Sequence, residues 1–140
     1  MGIYIQVSVG LLIVTHDGLG AVLLDSARQA LGRCPLRTEV LGAGAECDPE
    51  DLYRRATGLC SALDDGDGVL VLTDLYGSTP SNVAERLVDS RQDRRLVAGL
   101  NLPMLIRVFN YPELGLEGLV AKALSAGRDG VLQVAGAPAC

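Results

Sequence analysis

The chain has one histidine, His16, placed where the apolar run of LLIVTHDGLG gives way to Asp-Gly. Far along the sequence a second run, VLVLTDLYGSTPSN, ends in Asp74 and continues through Gly77, Ser78 and Thr79 to Pro80. A carboxylate bonded to one ring nitrogen fixes the tautomer of an imidazole and leaves the other nitrogen as a nucleophile or acceptor. Hydroxyls and the free N–H groups of a helix start suit a bound phosphate or phosphoryl group. Glycine at Gly77 lets backbone approach closely. Brought together, these groups describe a phosphohistidine site. Neutral His16 would attack phosphorus in line, Ser78 and Thr79 would bind the phosphoryl oxygens, and Asp74 would support the ring as it becomes positive. No metal and no cofactor enter this chemistry.

Each residue also has an ordinary reading. A histidine after a strand can be a satisfied loop residue, an aspartate before a glycine turn is turn chemistry, and Ser-Thr-Pro is an N-cap signature. Coincidence in space is what favours chemistry, and only the fold can supply it. Val9 to Val14 and Val69 to Thr73 are unbroken aliphatic runs, as parallel strands buried on both faces require. Thr38 to Leu41 and Arg95 to Ala98 read as two further strands. Helical spacing follows each strand. Leu19, Val22, Leu23, Ala27, Ala30 and Leu31 share one face before Gly32. Leu52, Ala56, Leu59 and Leu63 follow a start at Asp48-Pro49. Val83, Ala84, Leu87 and Val88 come after Thr79-Pro80. Residues 103–110 form a short helix and 113–126 a longer one, with Leu116, Leu119, Val120, Ala123 and Leu124 inward. DGVLQVAG reads as a final short edge strand. This alternation predicts one α/β domain over residues 1–140. It is a doubly wound, mostly parallel three-layer sandwich with strand order 2-1-3-4. In that order strands one and three are neighbours, and the crevice above their carboxyl ends is where such sheets bind ligands. His16 and Asp74 both fall there.

Composition narrows the partners. The 140 residues carry a formal charge of −5, with Lys122 the single lysine and the arginines scattered, so a nucleic-acid partner is not expected. With one Phe and no Trp the core is aliphatic. The four cysteines, Cys34, Cys47, Cys60 and Cys140, form no C-x-x-C pair and read as reduced cytoplasmic thiols. The apolar opening lacks a basic n-region and is too short and interrupted to span a bilayer. There is no phosphate-binding G-x-x-x-x-G-K-[ST] loop and no G-x-S-x-G nucleophile elbow. Paired acids after the first strand, which a receiver domain would need, are also missing.

Three segments resemble the IIA component of the mannose class of the bacterial phosphotransferase system. They are GLLIVTHDGLGAVLLDSA, VLVLTDLYGSTPSNVA and VAGLNLPMLIRV, in the family's order and spacing. The resemblance implies that His16 is phosphorylated, that Asp74 is its carboxylate partner, that Thr79 hydrogen-bonds the phosphoryl group, and that Asn101 and Pro103 shape a neighbouring loop. It implies HPr as donor, a IIB component as acceptor, and a cytoplasmic homodimer at most peripheral to a membrane permease. In such a dimer DGVLQV is the segment that would be exchanged. Two changes depart from the pattern. Ser78-Thr79 stands where the family has Gly-Ser, adding a side chain and a methyl, and Asp17 follows the histidine where glycine is common; neither change is expected to abolish transfer. The alternative function is an orphan regulatory IIA that signals by protein binding. A flavodoxin-like small-ligand binder without chemistry is the reading that rests on fold alone.

Overall fold

The computed structural model describes residues 7–88, 91 and 93–138. Strand β1 (Gly10–His16) is buried along all but its last residue, and β3 (Val69–Thr73) is buried throughout. β2 (Thr38–Ala43) and β4 (Arg94–Ala98) are partly open, as edge strands are. All the pairings are parallel and the order is β2-β1-β3-β4, as the aliphatic runs and their spacing predict.

Five helices complete the described residues: α1 (Leu19–Leu31), α2 (Pro49–Leu63), α3 (Thr79–Val88), α4 (Leu102–Phe109) and α5 (Leu116–Asp129). The period of two along each strand divides the core between two faces. Leu11, Ile13, Leu70 and Leu72 pack with Leu24 and Ala27 of α1, Leu105 and Phe109 of α4, and Leu119 and Ala123 of α5. Leu12, Val14, Val69 and Val71 point the other way, onto Leu52 and Ala56 of α2 and Val83, Ala84 and Leu87 of α3. Truncating any of these buried leucines to alanine costs about 2–5 kcal/mol. Local signals set the helix ends. Asp48 accepts a hydrogen bond from the Glu50 N–H with Pro49 behind it. Gly32 closes α1 at φ 70, a conformation that suits glycine.

Three expectations differ from the structure. Leu19 and Val22 face solvent, and the buried stripe of α1 is Gly20, Leu24 and Ala27. Gly20 packs so closely on Ile13, Thr15 and Val40 that it sets the face α1 turns to the sheet. α5 starts at Leu116 and runs on to Asp129, with Leu124 exposed and Ala126 buried instead. Residues 131–138 form no strand, and Val131, Leu132 and Val134 are exposed. A strand is stabilised by a neighbour, and none of the described strands pairs with that segment. Cys34, Cys47 and Cys60 are free thiols, with Cys60 buried against α3 and β3, where burial pushes its thiol up. Cys140 lies outside the described residues.

Candidate functional site

Val14 of β1 lies opposite Thr73 of β3, so the next turns of both strands emerge side by side. From there α1 goes to one face of the sheet and α3 to the other, which opens a crevice above the strand ends. Inside it one oxygen of Asp74, Oδ2, accepts twice from His16: from the backbone N–H at 3.2 Å and from ring Nδ1 at 2.7 Å. The shorter bond has the length of a charge-assisted contact. The Asp74 side chain is only 9% exposed and the His16 ring 46%. A ring that donates Nδ1–H to a carboxylate keeps the lone pair on Nε2, which has no hydrogen-bond partner among the described residues.

Burial alone would raise the Asp74 carboxyl, but the ring and backbone hydrogen bonds from His16 outweigh it and hold the group below its ordinary value. Its other oxygen, Oδ1, is buried with no hydrogen-bond partner among the described residues. The side-chain bond of this carboxylate is therefore directed at His16 alone.

Both flanking loops are braced. The Thr15 hydroxyl accepts from the Gly20 N–H at 2.8 Å, and the Asp17 N–H donates to the Ala43 carbonyl at 3.0 Å. Asp17 has φ 41, the one positive value at a non-glycine among the described residues. A Cβ at Gly42 would run into the Asp17 carbonyl, so that position must be bare for the loop to close on β2. In the second loop Gly77 turns at φ 87. The Ser78 hydroxyl donates to the Leu75 carbonyl at 2.6 Å and the Ser78 carbonyl accepts from the Asn82 N–H at 2.8 Å. Ser78 thus closes the loop with its proton engaged. Thr79 is exposed, and its hydroxyl has no partner among the described residues. Pro80 has no N–H to offer, so the unpaired donors at the start of α3 are those of Thr79 and Ser81.

Asn101 does something other than line the crevice. Its Oδ1 accepts from the Met104 N–H and its Nδ2 donates to the Gly127 carbonyl, so it caps α4 and ties it to α5. The same loop reaches the site end of β3 through the N–H groups of Gly99 and Leu100, which both donate to the Thr73 carbonyl at 3.0 Å. Two features escaped sequence reasoning. One is Gly42, whose role depends on a contact across strands that no local pattern marks. The other is the exposed apolar set around the site: Leu19 and Val22 in the first turns of α1, and Leu75 and Tyr76 on the loop after Asp74. Leu-Tyr inside an otherwise polar turn was a usable signal. Among the described residues no three metal-ligating side chains come together.

Comparison with known proteins agrees with this geometry. Residues 10–124 match the family described as the PTS system fructose IIA component. Over 126 residues the chain is 30% identical to the PTS system mannose-specific EIIAB component of Escherichia coli strain K12; this covers 89% of the chain and 39% of that longer protein. A mannose/sorbose-specific IIA subunit from Enterococcus faecalis has the same fold, with a TM-score of 0.85 at 24% identity over 95% of this chain and 99% of that one. The EIIA component from Streptococcus agalactiae superposes with a TM-score of 0.77 at 26% identity, covering 89% and 96%. The chain belongs to the mannose-family IIA components of the phosphotransferase system.

Proposed function

We propose that this chain relays a phosphoryl group through Nε2 of His16, taking it from the phosphohistidine of HPr and giving it to a histidine or other nucleophile of a IIB component. The observation that carries the reading is the 2.7 Å bond from Nδ1 to a nearly buried carboxylate under a half-exposed ring. The Nε2 lone pair attacks phosphorus as the N–P bond to the donor ring breaks, and the bonding electrons return to that ring. The Nδ1 proton stays in its bond to Asp74, so no proton has to leave. Asp74 holds the proton of the neutral ring on Nδ1, leaving the lone pair on Nε2, and balances the positive ring after attack. The exposed Thr79, through its hydroxyl and its free N–H, is the donor for the equatorial oxygens, with Ser78 holding the loop in shape.

The exposed Leu19, Val22, Leu75 and Tyr76 support a protein as the phosphoryl donor and acceptor, since apolar groups around a reactive residue favour docking over solvent. Exposed Val131, Leu132 and Val134, which find no strand partner in their own chain, support a homodimer that exchanges this segment. No described helix is long and apolar enough to cross a membrane, and we place the relay in the cytoplasm beside a permease.

Incubation with phosphoenolpyruvate, enzyme I and HPr tests the reading. Wild type should take up an acid-labile, alkali-stable phosphate, and His16→Ala should take up none. Label that persists in His16→Ala would overturn the assignment. Adding a IIB protein separates transport from regulation: loss of label to it supports the relay, and retention supports the regulatory alternative.

A further inference from the structure

The imidazole of His16 stands between two acids that are treated differently. Asp74 comes from the β3 side and is bonded to the ring. Asp17 lies on the β2 side. Its backbone is pinned to Ala43, which is paired with His16 in the sheet. Its carboxylate leans over the end of β2, with Oδ1 3.8 Å from where a Cβ on Gly44 would sit. That carboxylate is exposed and has no hydrogen-bond partner or ion pair among the described residues. Adjacent parallel strands are about 4.8 Å apart, which places the charge roughly 5–10 Å from the ring. Asp17 also occupies a left-handed conformation, φ 41, which costs an aspartate more than a glycine. Asparagine and aspartate are the non-glycine residues that tolerate it best. The backbone therefore accounts for a glycine or an asparagine here as readily as for an acid.

We propose that Asp17 sets the phosphoryl-transfer potential of His16, its unpaired negative charge destabilising the phosphorylated state so that the group is passed on readily. This rests on the phosphohistidine reading above. A phosphoryl group on Nε2 brings nearly two negative charges to a ring whose other side is already held by a carboxylate. Asp74 gains from that event because it faces the positive ring. Asp17, exposed on the β2 side with no ion pair among the described residues, adds a negative charge near the phosphoryl group and acts as a positioning residue through charge alone. At the separation given, and with solvent between, removing the charge should raise the equilibrium phosphorylation constant about threefold to tenfold. Because the Debye length falls from about 10 Å at 0.1 M salt to about 3 Å at 1 M, the effect should shrink at high salt.

The test is the equilibrium ratio of phosphorylated to free protein at limiting phospho-HPr, read by phosphate-affinity electrophoresis at 0.05 M and 1 M salt (about 14 Å and 3 Å of screening length). Wild type would be compared with Asp17→Asn, Asp17→Gly and Asp17→Glu. The expected result is a rise of about threefold to tenfold for both neutral variants at low salt, most of it lost at high salt, with Asp17→Glu close to wild type. Equal ratios for wild type and Asp17→Asn would overturn the proposal and leave Asp17 as a turn residue. A rise in Asp17→Gly alone would also overturn it, because backbone relief and not charge would then be the cause. No label on any protein, wild type included, would overturn the phosphohistidine reading and this inference with it.

Discussion

At the amino-terminal ends of the strands, Asp64 accepts from the N–H groups of Gly66 and Gly68, and Asp67 accepts from the N–H of Ser8. Arg37 pairs with Asp65 at 2.6 Å, Arg91 pairs with Asp93 at 3.1 Å, and buried Arg94 donates to the Leu87 carbonyl. At the carboxyl ends of the same strands the polar groups are left with capacity. Asp74 holds an imidazole by one oxygen while the other has no partner, and the side chains of Thr79 and Asp17 bond to nothing described. Both ends are built from short loops rich in Asp, Gly and Ser. The contrast teaches that loop composition does not separate the two ends; what their carboxylates bond to does, since those at the amino-terminal ends are engaged by backbone N–H groups and arginines. At the first end the carboxylates are spent on turns and ion pairs, although the buried Nε of Arg94 has no partner among the described residues; at the second a half-exposed imidazole and an unpartnered hydroxyl are left open.

The sharpest way to break this contrast is Asp74→Asn. It keeps shape but removes the charge that supports the ring, and should slow phosphorylation of His16 by about 10²-fold or more while the fold persists. A rate within a factor of two of wild type would place Asp74 with the structural carboxylates at the other end. Gly42→Ala comes next. Its methyl collides with the Asp17 carbonyl, which should cost about 1–3 kcal/mol in urea unfolding and lower the phosphorylation rate by shifting the His16 loop. Unaltered stability would mean that the loop is not seated on β2 as described.

Acid titration gives a smaller effect with a definite sign. The Asp74 carboxyl sits below its ordinary value of 3.8, because its bonds with His16 outweigh a burial that would raise it. The stability it contributes is present in full above that ordinary value and is lost as the pH falls through the depressed one. Unfolding curves of wild type and Asp74→Asn should therefore run parallel near neutrality and converge in acid. Curves that keep their separation below pH ~3 would show no such linkage. The smallest effect is expected from Arg37→Ala, which breaks a half-exposed ion pair at the structural end. It should leave the phosphorylation rate unchanged and the melting temperature without a resolvable shift. A marked loss of phosphoryl transfer would show that the two ends are coupled.

How much could be read in advance differs by element. β3 was legible to the residue, because five consecutive aliphatic or Thr positions between turn signals admit little else. The start of α2 was equally plain from Asp48-Pro49. His16 and Asp74 were legible as a pair only through the strand order, which the alternation of strands and helices implied. The inward face of α1 was misread, because its rotation is fixed by the close approach of Gly20 to Ile13 and Thr15 rather than by its own periodicity. The final strand does not form within the single chain for a related reason. A β segment has no stable form without a neighbour, and its own residues do not say whether one exists.

By itself, then, the order of residues determined the four described strands, the helices, their parallel arrangement and the meeting of His16 with Asp74, since these follow from local periodicity and the right-handed connection rule. Only the tertiary structure decided that Nδ1 is the bound nitrogen, that Ser78 is engaged while Thr79 is free, and that Asp17 is held unpaired over β2. Those outcomes depend on which donor reaches which acceptor across the crevice, a matter of a few tenths of an ångström that sequence spacing does not encode.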